Sequence, residues 1–159
     1  MHRLYETDDI TVFWDSEKCR HAKQCVTGCP EVFDIQRKPW IDLSRAECAK
    51  IWKAVSKCPT GALTVAYNHG IRVAFVEAEN RSVAYDGDRE VGECSFISED
   101  GAWKIVHTES HPDYQGKGIA KRLVFSVTEQ AEKRKIQVVP ICSYAVKVLG
   151  GEGGACGLN

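Results

Sequence analysis

Short segments rich in β-branched and aromatic residues recur along the chain, and such segments are typical of strands. Two of the gaps between them, Asp86-Gly87-Asp88 and Glu99-Asp100-Gly101, have the composition of hairpin turns. The segments predicted as strands are Ile10–Trp14, Ala62–Tyr67, Ser82–Tyr85, Arg89–Phe96, Ala102–Glu109 and Ile136–Ile141.

Apolar residues at helical spacing predict two amphipathic helices, and a short third helix follows Ser143. Ser44 and Glu47 have the spacing of a capping box, so we expect the first helix to begin there. It should end near Cys58-Pro59, because proline disfavours helical geometry in the residue before it. The predicted apolar faces comprise Cys48, Ile51, Trp52 and Val55 in the first helix, and Ile119, Leu123, Val124, Val127 and Ala131 in the second.

The short polar stretch Tyr67-Asn68-His69-Gly70 separates two differently organised parts of the chain. Strands and one helix precede it, and a run of strands followed by strand–helix–strand comes after it. This order indicates an α+β protein whose second part has a mixed α/β sheet. We expect domains at residues 1–69 and 70–149 and a flexible glycine-rich tail at 150–159.

Composition and charge exclude several classes of protein. The chain has 159 residues, of which 43% are hydrophobic and 27% charged, so it is globular rather than disordered. Its net charge of −1 offers no basic field for nucleic acid or a membrane surface. No apolar run approaches the ~20 residues that span a bilayer, and no apolar signal core follows Met1. We therefore expect a cytoplasmic protein with no nucleic-acid or membrane partner.

Five of the eight cysteines lie within the first 60 residues. In a chain without an export signal, clustered cysteines indicate metal binding or catalysis rather than disulfides. The pattern Cys19-x5-Cys25-x3-Cys29-Pro30, with Cys58-Pro59 far downstream, lacks the close Cys-x2-Cys pairs of most zinc sites. It suits an iron–sulfur cluster better, because thiolates are the usual ligands of such clusters. Zinc and bare structural thiols are the alternatives.

This segment resembles the divergent 4Fe–4S mono-cluster ferredoxins over roughly residues 5–67. The resemblance implies a small ferredoxin-like domain whose cluster is held by Cys19, Cys25 and Cys58. The matching segments are Cys19–Val26, Pro30–Asp34, Pro39–Ile41 and Cys58–Leu63.

The fourth ligand is left open by the resemblance. Ferredoxins have a middle cysteine where this chain has Ala22. The fourth position could be filled by Cys29, by a donor such as His21, or by nothing, which would suit a 3Fe–4S cluster. Cys48, on the apolar helix face, is expected to pack as a small hydrophobic residue.

A glycine loop, Gln115-Gly116-Lys117-Gly118-Ile119-Ala120, lies between a strand and the second helix. Glycines let the backbone approach an anion closely, and the amides at the helix start point toward it. The loop has neither the Walker nor the Rossmann order of glycines. We expect a phosphate cradle, with a tight turn before an ordinary helix as the alternative.

With its flanking strands and helix, the loop resembles the acetyl-coenzyme A motif of the GCN5-related N-acetyltransferases (GNATs). Residues 71–149 resemble a compact family of these proteins. The resemblance implies that the loop amides hold the coenzyme A pyrophosphate and that the strand Ile136–Ile141 splays from its neighbour to admit the pantetheine arm. It rests on His107-Thr108-Glu109, the glycine loop and Val138–Tyr144.

Four residues of this half are candidates for chemistry. Cys142 ends a strand where the resemblance places the thioester, so it could attack the acetyl carbonyl or only line the slot. His107 and Glu109 share one strand face, and either could deprotonate an amine. Tyr144 could protonate the departing thiolate or simply pack.

The sequence thus predicts an iron–sulfur domain fused to a minimal acetyltransferase. Acetyl transfer from acetyl-coenzyme A to an amine, on a small molecule or a peptide, is the first hypothesis, with the cluster as redox sensor or structural element. An electron carrier with its own redox partner is the second, and a coenzyme A-binding regulator without turnover is the third. Enzyme activity itself is left open.

Overall fold

A computed structural model describes residues 2–149. The chain divides into two compact units, Met1–His69 and Gly70–Asn159. Each unit has its own hydrophobic core. The tail predicted at 150–159 lies outside the described residues.

The first unit is a three-stranded antiparallel sheet with two helices between its second and third strands. The central strand is almost wholly buried, and its Ile10 and Val12 contact core residues of the long connection. The elements are β1 (His2–Glu6), β2 (Ile10–Asp15), α1 (Gln24–Gly28), α2 (Cys48–Ser56) and β3 (Leu63–Tyr67). The sequence did not predict β1 or α1, because neither segment has a continuous apolar face.

The predicted capping box is wrong. Ser44 lies in a single turn of 3₁₀ helix, Leu43–Arg45, and its hydroxyl donates to the Asp42 carboxylate over 2.6 Å. Ala46 is extended, so α2 begins later, at Cys48, with Glu47 as an N-cap that makes no side-chain hydrogen bond. The Ser44 hydroxyl bonds the Asp42 carboxylate within this turn, so it is not available to cap α2.

The second unit is a five-stranded mixed sheet in the order β4-β5-β6-β7-β8. The first four strands are antiparallel, and β8 runs parallel to β7 after the crossover through α3. The predicted mixed sheet is therefore confirmed. The elements are β4 (Arg72–Val76), β5 (Arg81–Asp86), β6 (Arg89–Glu99), β7 (Ala102–Ser110), α3 (Ile119–Lys133), β8 (Gln137–Pro140) and α4 (Ser143–Leu149).

The apolar face predicted for the second helix is confirmed in α3. Its Leu123 passes so close to β6 that a Cβ on Gly92 would lie 3.1 Å from the leucine Cδ1. The Ser82 hydroxyl on β5 donates to the Leu123 carbonyl over 2.8 Å and ties the helix to the sheet. The face buried in the core comprises Ile119, Leu123, Val124, Val127 and Ala131. Within residues 2–149, no helix is long and apolar enough to cross a bilayer.

Candidate functional sites

Three cysteines from distant points of the first unit line one cavity of about 950 Å³. Cys19 follows the 3₁₀ turn after β2, Cys25 lies in α1, and Cys58 follows α2. Folding of the connection between β2 and β3 brings these thiols to a common wall. His21 and Ala22 lie on the same wall.

The loop between Cys19 and Cys25 is held in an unusual backbone conformation. His21 and Lys23 both have left-handed backbone, with φ of 57° and 65°. The His21 amide donates to Cys19 Sγ over 3.4 Å. Non-glycine residues adopt this conformation uncommonly, and it occurs at turns as well as at binding sites.

Backbone amides also surround Cys58. Burial alone would raise the pKa of this thiol, but hydrogen bonds from the Leu63, Thr60 and Ala62 amides and the Thr60 hydroxyl outweigh it and lower the pKa. Burial raises the pKa of Cys25, and the nearby Cys58 and Cys19 raise it further. Amide hydrogen bonds to cysteine sulfur are the contacts that tune iron–sulfur centres.

Cys29 is not brought to this wall. Its side chain is wholly buried in the core, beside Val32 and Phe33. Burial raises the pKa of its thiol, and the neighbouring Glu31 carboxylate raises it further. Lys50 Nζ lies 2.5 Å from Glu31 Oε2, and this hydrogen bond lowers the pKa of the Glu31 carboxyl to about 2. Cys48 packs, half-buried, against the same core.

The cavity wall is cationic, a feature that the sequence analysis missed. Among the described residues that line it there are five Arg or Lys side chains and no Asp or Glu. Arg37 is fixed there by its guanidinium, which donates to the Val32 carbonyl over 2.6 Å. No sequence motif predicts this cluster of charges, because its members come from scattered positions: Arg3, Arg20, Lys23, Arg37 and Lys38.

The spacing of the three sulfurs disfavours a single zinc ion. Sulfurs on one tetrahedral zinc ion lie about 4 Å apart, given Zn–S bonds of about 2.3 Å. Within residues 2–149, Cys19, Cys25 and Cys58 do not form a group whose ligand atoms all lie within 4.8 Å of one another. A wider spacing suits a group with several metal ions, and the donor set of soft thiolates suits iron and sulfide.

In the second unit, β8 pairs with β7 over its whole length of four residues. The pairing ends at Ile105 and Pro140, where β8 itself ends, while β7 continues to Ser110. The Ile105 carbonyl also accepts from the Ile141 and Cys142 amides, at 2.9 and 3.0 Å. We call the space beside the last residues of β7, past the end of β8, the opening between β7 and β8. A splay of β8 away from β7, which the GNAT resemblance implied, stays a prediction.

Of the four candidates for chemistry, His107 and Glu109 lie on β7, Cys142 lies between β8 and α4, and Tyr144 lies in α4. His107 Nε2 and Glu109 Oε1 are 3.3 Å apart and both side chains are exposed. Cys142 directly precedes α4, and its sulfur accepts from the Ala145 amide over 3.3 Å. Tyr144 packs against the second core, and burial raises the pKa of its phenol, which therefore carries its proton at neutral pH.

The glycine loop combines left-handed backbone with a helix start that has no side-chain cap. Gly116 and Gly118 have left-handed backbone, with φ of 82° and 75°, and Gly118 is the N-cap of α3. Glycine cannot cap with a side chain, so the first amides of this 15-residue helix carry no side-chain cap. Lys117 adds positive charge to the loop, and Ile119 buries its side chain in the core.

Residues 5–68 match the family model described as a divergent 4Fe–4S mono-cluster. The same part of the chain is 35% identical over 68 residues to the uncharacterized protein YjdI of Escherichia coli K12, and equally to that of Escherichia coli O157:H7. The match covers 43% of this chain and 87% of YjdI. The chain belongs to the divergent 4Fe–4S mono-cluster family. Residues 81–152 match the model described as GCN5-related N-acetyl-transferase, so a GNAT domain follows in the same chain.

Two solved structures are similar over most of the chain but at low identity. One is a Staphylococcus aureus protein of unknown function, SA2161, described as a probable acetyltransferase (14% identity, 94% of this chain and 92% of that one, TM-score 0.38). The other is the ribosomal-protein-alanine N-acetyltransferase of Brucella melitensis biovar Abortus 2308 (18% identity, 85% and 80%, TM-score 0.34). Likenesses at this level do not bear on function.

Proposed function

We propose that the first unit holds an iron–sulfur cluster through Cys19, Cys25 and Cys58. The observation that carries this proposal is the convergence of the three thiols on one cavity wall. Amides at Cys19 and Cys58 are in place to hydrogen-bond the sulfurs, and the cationic wall offsets the negative charge of a thiolate-ligated cluster. Such a group supplies a one-electron redox centre.

The second unit binds acetyl-coenzyme A in this proposal. The amides of Gln115–Ala120 hold the pyrophosphate, and the opening between β7 and β8 takes the pantetheine arm. The diphosphate needs close backbone approach, which the two left-handed glycines allow. The match to the GNAT family model and the continuation of β7 past the end of β8 support this arrangement.

Direct acetyl transfer to an amine then needs two groups from this chain, a base and an acid. His107 or Glu109 takes a proton from the amine nitrogen, which attacks the thioester carbon. The carbon–sulfur bond breaks, and Tyr144 supplies the proton to the departing coenzyme A sulfur. In the covalent variant, the Cys142 sulfur attacks the acetyl carbon, the bond to the coenzyme A sulfur breaks, and coenzyme A leaves as a thiol with the proton given up by Cys142. The amine then attacks the acetyl-cysteine, and the Cys142 thiol is released with the proton from the amine.

An acetylation assay on the anaerobically purified full chain tests this proposal. Acetyl-coenzyme A is supplied with polyamines, amino acids and lysine peptides, and both free coenzyme A thiol and acetylated product are measured. Product formation that continues after a chelator has bleached the cluster supports the enzyme. Absence of both product and thiol release with every acceptor contradicts acetyl transfer.

The cationic wall favours a second function, electron transfer. A positive rim around a redox centre steers an acidic partner toward it. A reversible one-electron signal without thiol release from acetyl-coenzyme A would support this function, with the GNAT unit as a coenzyme A-binding or docking module.

A further inference from the structure

Thr108 places its hydroxyl between two cysteines. Its hydroxyl donates to Cys94 Sγ over 3.5 Å, and its Oγ1 lies 3.4 Å from Cys142 Sγ, where either atom could be the donor. Cys94 on β6 is the cross-strand partner of Thr108 on β7, and Cys142 follows β8 on the other side of β7. Three neighbouring segments of the sheet thus bring two sulfurs to one hydroxyl.

The two sulfurs differ in their surroundings. Cys94 is wholly buried in the second core, and burial raises the pKa of its thiol to about 12. It therefore keeps its hydrogen at neutral pH and is able to donate it. Cys142 is only half-buried and lies at the opening between β7 and β8.

The hydrogen-bonding capacity of threonine restricts how the three groups pair. A hydroxyl has one hydrogen to donate and two lone pairs to accept with. In the structure this hydrogen goes to Cys94. When the Cys142 sulfur is anionic, however, all three groups are satisfied only if the Thr108–Cys94 bond reverses. The Thr108 hydroxyl then donates to Cys142, and the Cys94 thiol turns its hydrogen to the Thr108 oxygen. The Ala145 amide already donates to the Cys142 sulfur, so that sulfur receives two hydrogen bonds.

We propose that Thr108, supported by the buried Cys94 thiol, is a positioning residue that holds the Cys142 sulfur as an oriented nucleophile at the opening between β7 and β8. Cys94 acts as an inward donor and is not itself a nucleophile. The inference deepens the proposed function, because acyl thioesters are the electrophiles that this opening would admit. It concerns the reactivity of the sulfur and does not require acetyl transfer to occur.

Alkylation of Cys142 in the full-length holoprotein tests the inference. The rate of carbamidomethylation by iodoacetamide at neutral pH is followed on the Cys142 peptide by mass spectrometry, in the wild type, Thr108→Val and Thr108→Ser. Thr108→Val keeps the side-chain shape and removes the hydroxyl, and we expect it to slow the reaction about threefold or more. Thr108→Ser keeps the hydroxyl and should react within about twofold of wild type. A Thr108→Val rate equal to wild type would overturn the inference.

Cys94→Ala gives an independent measurement that leaves the Thr108 side chain in place. It removes the inward donor, so we expect Cys142 to react more slowly than in wild type, and an unchanged rate would overturn the part assigned to Cys94. If Thr108→Val unfolds, as its melting curve would show, Thr108→Ala takes its place in the alkylation assay, with the same expected and contradicting rates. Acetyl-coenzyme A is absent from the assay, so its result is separable from success or failure of acetyl transfer.

Discussion

The Cys29 amide donates to the Cys25 carbonyl over 2.9 Å, yet the thiols of these two residues have different surroundings. Cys25 is half-buried on the wall of the cavity, whereas Cys29 is wholly buried in the core. One turn of chain therefore separates a thiol available to a cluster from a thiol that packs as a hydrophobic residue.

Substitution of a cavity cysteine should remove the cluster absorbance, and substitution of a core cysteine should leave it in place. Cys58→Ala removes a cavity thiol, and we expect it to abolish the brown absorbance of anaerobically purified protein. Cys29→Ala removes a core thiol and should keep the absorbance and the iron and sulfide content. The measurement is the visible spectrum together with iron, sulfide and zinc analysis and paramagnetic resonance.

Either variant can contradict the ligand assignment. Full colour in Cys58→Ala would remove Cys58 from the ligands, and loss of colour in a folded Cys29→Ala would return Cys29 to them. A wild-type protein that is iron-free, or that contains only zinc, would refute the cluster itself.

Coenzyme A binding should depend on Gly118. A glutamate there strains the left-handed backbone and places negative charge beside the pyrophosphate, so we expect Gly118→Glu to weaken binding about tenfold or more in calorimetry. Gly101→Glu is the matched control, because Gly101 has the same φ of 75° at a hairpin turn. Unchanged affinity in Gly118→Glu would eliminate the phosphate cradle.

The buried Cys94 thiol should make the second unit sensitive to alkali. Its pKa is raised from 9.0 to about 12 by burial, so between these pH values the folded state holds a proton that the unfolded state releases. The free energy of unfolding therefore falls as pH rises above 9, by about 4 kcal/mol at the limit of pH 12.

Urea unfolding between pH 8 and 10.5 measures this effect against Cys94→Ala. The wild type should lose stability more steeply with pH than the variant, since the variant lacks the buried thiol. Parallel pH profiles of the two proteins would show that Cys94 ionises as it does in the unfolded chain.

Gly92 should be sensitive to the addition of one methyl group. A Cβ there would lie 2.9 Å from the Glu109 carbonyl oxygen and 3.3 Å from the Ser110 Cα, both backbone atoms. Relief requires β6 and β7 to shift, so we expect Gly92→Ala to lower the free energy of unfolding by about 1–3 kcal/mol. Thermal unfolding measures it, and a melting temperature equal to that of wild type would show that the strands shift freely.

Local patterns predicted much of the second unit. The hairpin turn at Asp100-Gly101 has the left-handed residues that its sequence requires, with φ of 56° and 75°. The apolar stripe of α3 is buried as its spacing predicts. Turn chemistry and helical periodicity act over a few residues, so they can be recognised without the fold.

Local patterns failed where a competing contact, near or distant along the chain, decides the outcome. Ser44 has the spacing of a cap, but Asp42 takes its hydroxyl. The segment that forms β1 has mixed polarity and is a strand because β2 offers it an edge with which to pair.

The two-part organisation, the cysteine and glycine motifs and the family resemblances are readable without a structure, because they depend on residue type and spacing. The folded chain was needed to show that Cys19, Cys25 and Cys58 share a cavity that Cys29 does not reach, and that Thr108 stands between Cys94 and Cys142. Spacing along the chain limits which residues can meet. Which of them do meet depends on how buried apolar faces orient the connecting segments, and that orientation exists only in the packed fold.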